Sequence, residues 1–235
     1  MNRNQHTNNA GAYTPDSRRR YVAFHEAGHA AAIYLINRAR EIPPLLFSLR
    51  FNVSGMDDGA DFQTSFENYI GYIEGGRLLH TLPPTLNTMQ HPPMETGQDW
   101  IQTPEDLLNA FEADVINLLA GPLSEAKYIA ETDGEIFTHR LVDPPALENY
   151  GGAFDLALIN DYLHSFSTDP EERDQKLNQL HRVAFNFIND YHNWRAVSKL
   201  AGYILAANKN TICYDEVAAV LEGERENLRG GFGQQ

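Results

Sequence analysis

Apolar side chains recur at three- and four-residue intervals near the start of this 235-residue chain: Ala23, Ala27, Ala30, Ala31 and Tyr34 fall on one face. That period is helical. Thr14-Pro15-Asp16 adds a cap, a first-turn proline and an early acid, so the pattern predicts a helix over 15–40, stopped by Pro43-Pro44. The period then drops to two. Phe47, Leu49, Phe51 and Val53 alternate with polar positions and predict a strand over 45–53. Tyr69-Ile70-Gly71-Tyr72-Ile73-Glu74 predicts a second strand, ended by Gly75-Gly76, and the two are expected to pair as a hairpin with a long connection.

Beyond that hairpin the pattern is helical. Residues 77–102 hold four prolines and few apolar positions and read as a surface excursion, so 54–102 as a whole is expected to be a loop insertion. Thr103-Pro104-Glu105-Asp106 opens a helix with a near capping box. Leu107, Phe111, Val115, Leu118 and Leu119 form its buried stripe, Gly121-Pro122 interrupts it, and 123–129 continues it. Residues 131–150 read as a loop. Further helices follow at 153–166 (Leu156, Ile159 and Leu163 inward), 169–192 (Leu177, Leu180, Ala184, Phe187 and Ile188 inward), 194–207 and 214–222. The expected fold is mainly α, with a small β-sheet beside the first helix. One domain spans 14–222, between a polar arm at 1–13 expected to be disordered and a tail at 223–235 expected to be flexible.

The first helix carries His25-Glu26-Ala27-Gly28-His29, an H-E-x-x-H motif. Residues four apart stack on one helix face, so both imidazoles reach one metal ion, and zinc is the usual occupant. Glu26 is offset by about 100°. It misses the metal but reaches a water at the open position, where it fits the part of a general base in metal-assisted hydrolysis. Gly28 costs this helix about 1 kcal/mol against alanine, which close approach of another element would explain. A catalytic zinc needs a third protein ligand. Asp155, opening a helix just after Gly151-Gly152-Ala153, is one candidate. Glu125 is another, and His139 and His164 complete the choice; His80 and His91, in the proline-rich excursion, read as solvated.

Charge and cysteine content narrow the function. A net charge of −14 argues against nucleic-acid or anionic-membrane partners, and no apolar run is long enough to span a bilayer. The N-terminus lacks the apolar core of a signal peptide. The single cysteine, Cys213, excludes an intrachain disulfide and reads as a small buried apolar residue in a reducing compartment. Together these predict a soluble cytoplasmic protein.

Three stretches in this order resemble the peptidase domain of FtsH-type ATP-dependent zinc metalloproteases. They are Val22-Ala23-Phe24-His25-Glu26-Ala27-Gly28-His29-Ala30, Leu118-Leu119-Ala120-Gly121-Pro122-Leu123-Ser124-Glu125 and Gly151-Gly152-Ala153-Phe154-Asp155-Leu156, and the likeness extends over roughly 20–222. The resemblance implies a single zinc ion per chain held by His25, His29 and Asp155, with Glu26 catalytic and Glu125 a neighbour that orients a histidine. It departs from the family at Pro122, where the family has arginine, and in the longer 54–100 segment. The family's ATPase domain precedes its peptidase. Here 24 residues precede His25 and no G-x-x-x-x-G-K-[ST] occurs, so ATP-driven unfolding is not expected, and a separate ATPase partner stays open. The family's hexameric rings leave a homo-oligomer open too. The leading expectation is a zinc metalloendopeptidase acting on extended peptides or unfolded proteins. Its substrate would be added as a strand along Tyr69, Ile70, Gly71, Tyr72 and Ile73, where Gly71 admits a second backbone or marks a bulge. The competing expectations are a catalytically inactive binding or adaptor protein and a metal-free helical scaffold.

Overall fold

A computed structural model describes residues 15–51, 71–80, 82, 86 and 99–230, with backbone alone from 224 onward. The 1–13 arm, Thr14, Val53, Tyr69, Ile70, His91 and most of the 54–102 segment lie outside the described residues. The chain is mainly helical with a small three-stranded antiparallel sheet, as the hydrophobic pattern predicts. Helix α1 (Pro15–Ala39) is followed by β1 (Phe47–Phe51) and β2 (Gly71–Gly75). Then come α2 (Pro104–Thr132), a 3-10 helix (Pro144–Tyr150), α3 (Ala153–Phe166), α4 (Pro170–Asn189) and α5 (Tyr191–Ala207). Strand β3 (Thr211–Cys213) and α6 (Tyr214–Gly230) close the chain.

Helices α1 and α2 form the centre. They cross at Gly28, where an added Cβ would collide with Ser124 Oγ and stand 2.5 Å from the Ala120 carbonyl oxygen. The cost of a glycine inside α1 is thus offset by close helix packing. Helix α2 starts on a complete capping box: Asp106 N–H donates to Thr103 Oγ1 at 3.1 Å and Thr103 N–H to Asp106 Oδ2 at 2.9 Å. Contrary to the expected interruption, α2 runs unbroken through Gly121-Pro122. An interior proline costs a helix about 3 kcal/mol. Apolar burial along one continuous face, from Leu107 through Leu123 to Ala130, outweighs that cost.

The sheet order is β2-β1-β3, with both pairings antiparallel. Phe47, Leu49 and Phe51 of β1 face the core, and Leu49 stands opposite Ile73 on one side and Ile212 on the other. Strand β3 has three residues, too few for an alternating pattern to announce it. Several other expectations are corrected. Leu78, Leu79, Leu86 and Ile101 are buried, so described residues of the 77–102 stretch contribute to the core. The long helix expected over 169–192 ends at Asn189, and Asp190 caps α5 by accepting from the backbone N–H of His192 and Asn193. Helix α6 continues to Gly230, well into the stretch expected to be a flexible tail. Cys213 is exposed, because it alternates with the buried Ile212 on β3. No described helix is long and apolar enough to cross a membrane.

Candidate metal centre

Helix α1 presents His25 and His29 on one face, with ring centroids 4.8 Å apart. The third group arrives on α3. The 3-10 helix ends at Gly151, whose φ of +72° is a left-handed turn that glycine adopts without strain. An added Cβ there would lie 2.8 Å from Glu125 Oε2 and 3.2 Å from His25 Nδ1. The same turn delivers Asp155 to the buried face of α3, in line with Ile159 and Tyr162. Asp155 Oδ2 lies 3.2 Å from His25 Nε2, and Oδ1 lies 3.4 Å from His29 Nε2. One ligand atom from each of the three residues fits within a 4.8 Å span, so His25, His29 and Asp155 could hold a metal ion.

The far side of each imidazole is fixed as well. His25 Nδ1 faces Glu125 Oε2 at 3.1 Å and His29 Nδ1 faces the Asn117 carbonyl oxygen at 2.8 Å. Both partners accept, so each Nδ1 carries a proton and each Nε2 turns toward Asp155, the tautomer a metal-ligating histidine needs. Gly121 makes room for this. An added Cβ would collide with the His29 ring, so the glycine read as an interruption of α2 is the floor on which His29 lies. Pro122, beside it, packs against the turn before Asp155, where a Cβ on Gly152 would stand 2.9 Å from the proline Cβ.

The electrostatics are those of a cation site. Burial alone would lower the His25 imidazole, but hydrogen bonds to the Asp155 and Glu125 carboxylates outweigh it and hold its pKa well above the usual value. Burial alone would raise the Asp155 carboxyl; the charge on His29 and the hydrogen bonds of both histidines instead hold it far below the carboxylate range. Glu26 stands apart from the cluster. It is 4% exposed, burial pushes its carboxyl above the usual range, and its Oε2 has no hydrogen-bond partner among the described residues. A buried polar atom without a partner costs about 1–3 kcal/mol, so it marks a position where a ligand or water belongs.

Glu125 takes the expected place behind His25. The other histidines lie elsewhere: His80 is exposed, His164 turns back on its own helix to face the Asn160 carbonyl, and His139 pairs with His181. Of the strand residues singled out, Gly71, Tyr72 and Ile73 lie on β2, an edge of the sheet among the described residues. From Gly71 to Gly75 the β1–β2 ladder is regular, with Gly71 opposite Phe51. The space Gly71 leaves is taken by α1 itself: a Cβ there would be 2.7 Å from Glu26 Cγ and 2.8 Å from Val22 Cγ1. Asn117 and Tyr162 escaped the sequence reading, as did the place of Gly121 beside His29. For Asn117 no signal exists, because its contribution is a backbone carbonyl. No known protein family, curated protein or solved structure matches this chain.

Proposed function

We propose that this protein is a zinc-dependent metallopeptidase that cleaves extended peptides or unfolded proteins. The observation that carries the reading is the convergence of two imidazoles and one carboxylate beside a buried glutamate with an unpartnered oxygen. The donor set fits zinc, which takes histidine nitrogen and carboxylate oxygen and keeps an open position in catalytic sites. Ligands about 2.0–2.2 Å from a tetrahedral ion stand roughly 3.3–3.6 Å from one another. The separations of 3.2 Å from His25 Nε2 to Asp155 Oδ2 and 3.4 Å from His29 Nε2 to Asp155 Oδ1 are close to that spacing, and one ligand atom from each residue falls within 4.8 Å of the others. The three motifs that resemble the FtsH-type peptidase domain point the same way.

His25, His29 and Asp155 would hold the ion, and Glu125 and the Asn117 carbonyl would keep both imidazoles turned to it. Zinc bound there supplies Lewis-acid activation of water and of the scissile carbonyl. Glu26 takes the proton from the attacking water on its free Oε2 and returns it to the leaving amine. Its buried setting raises the carboxyl and so strengthens it as a base. The peptide would lie as an added strand along β2, where Gly71 packs against Glu26 and Tyr72 is 55% exposed. An edge read through backbone hydrogen bonds makes few demands on sequence, which suits unfolded substrates. The same reading places the protein in the cytoplasm, where the exposed Cys213 thiol stays reduced.

Metal analysis of the purified chain together with a casein-cleavage assay tests this. Wild type should carry stoichiometric zinc and cleave without nucleotide. Glu26→Gln should keep the zinc and lose about 10²–10⁴-fold in rate. Zinc with no cleavage in the wild type would favour a binding or adaptor protein, and a chain that takes up no metal would sink both readings.

A further inference from the structure

One buried carboxylate has no part in the chemistry above. Asp114 sits on α2 about three turns before Glu125, and it is 2% exposed. Its Oδ1 accepts from the backbone N–H of Leu78 at 2.8 Å and its Oδ2 from that of Leu79 at 2.9 Å. The Tyr162 hydroxyl donates to the same Oδ2 at 2.7 Å. Arg77 Nε donates to that hydroxyl at 3.1 Å, with the guanidinium carbon 5.3 Å from the ring centre. The network therefore ties together the chain leaving β2, helix α2 and helix α3.

Each of those elements carries part of the metal centre. Strand β2 places Gly71 against Glu26, α2 places Glu125 behind His25, and α3 places Asp155 about two turns before Tyr162 on the same buried face. The strand ends in two glycines with φ of +84° and +78°, so its exit has little stiffness of its own. Leu78 and Leu79 are fully buried, but apolar burial is non-directional and does not define position to a fraction of an ångström. Two consecutive N–H groups held by one carboxylate do define it. A buried acid also stabilises less than an apolar residue of similar size would, so its use here calls for a gain in precision.

We propose that Asp114 and Tyr162 are positioning residues: they fix the outer edge of β2 relative to the metal centre, and so set how an extended peptide lies beside Glu26. This rests on the peptidase reading of the site. It is tested in the full, zinc-loaded chain with Tyr162→Phe and Asp114→Asn, using unfolded β-casein as the probe. Tyr162→Phe keeps the buried ring and removes only the hydroxyl, so it carries the test if Asp114→Asn does not fold. Zinc content should be unchanged, KM for casein should rise about ten-fold with kcat within about two-fold, and the amides of Gly71–Gly75 should exchange with solvent about ten-fold faster. Unchanged KM and exchange in a folded variant overturn the proposal, as does loss of zinc or of fold in both variants, because the network then serves stability alone. A wild type that cleaves no casein refutes the peptidase reading. The exchange rates of the variants then still support or overturn the role of the network in fixing the edge.

Discussion

The protein holds two histidine pairs of almost the same shape and opposite chemistry. His25 and His29 stand with ring centroids 4.8 Å apart at 71°, and His139 and His181 at 4.7 Å and 70°. Both rings of the first pair face Asp155, Glu125 stands behind His25, and His25 is drawn toward the charged form. The second is closed in by Phe185 and the Val142 carbonyl. His181 Nε2–H donates to that carbonyl at 2.7 Å, leaving Nδ1 to accept from His139 Nε2–H at 3.1 Å. Burial pushes its pKa down to about 4, against the opposing pull of Val142 O and Asp143 and reinforced by His139. Ring geometry therefore does not by itself make a group that could hold a metal. A converging carboxylate does, by compensating the charge that burial would otherwise expel.

Asp155→Ala should collapse this contrast. It leaves no carboxylate on the side the two Nε2 atoms share, and zinc affinity measured by chelator competition should fall about 10²–10³-fold. Unchanged affinity would remove Asp155 from the ligand set.

The second pair has its own signature in pH. The folded pKa of His181, about 4, lies below its unfolded value of 6.5. Its contribution to stability is thus complete above pH 6.5 and is lost progressively as the pH falls toward 4, to a total of about 3 kcal/mol at most. Denaturant titrations of wild type and His181→Gln across that window should diverge, since glutamine keeps a donor for Val142 but does not titrate. Parallel curves would show that His181 does not resist protonation. Zinc content should be the same in both proteins.

Glu125→Ala tests the smallest difference between the pairs, the acceptor behind the ring. The His25 ligand keeps its place but loses its orientation, and zinc affinity should drop about 10–100-fold. A loss as large as that of Asp155→Ala would mean that Glu125 binds the metal itself.

The reach of sequence reasoning differs between these regions for a physical reason. In α1 the spacing of His25, Glu26 and His29 is a property of the helix alone, so motif and period were sufficient. The capping box at Thr103 and the alternation of β1 were legible for the same reason. Asp114 could have been noticed as a lone acid on the apolar side of α2, between Phe111 and Val115 on one turn and Leu118 on the next. Its partners, two backbone N–H groups and a tyrosine 48 residues away, could not. The His139–His181 pair spans 42 residues with no period or motif to join its members.

Local order thus decided where the helices run and that the His25 and His29 imidazoles share one helix face, because backbone geometry repeats over a few residues and needs no partner. Tertiary packing decided the rest. It carried α2 through Pro122, since burial along a continuous face outweighs one missing hydrogen bond. It filled the space at Gly71 with Glu26 and the space at Gly121 with His29. It brought Asp155, rather than Glu125 or His139, to the open side of both imidazoles, because choosing among distant carboxylates depends on how α3 docks, and no local rule encodes that.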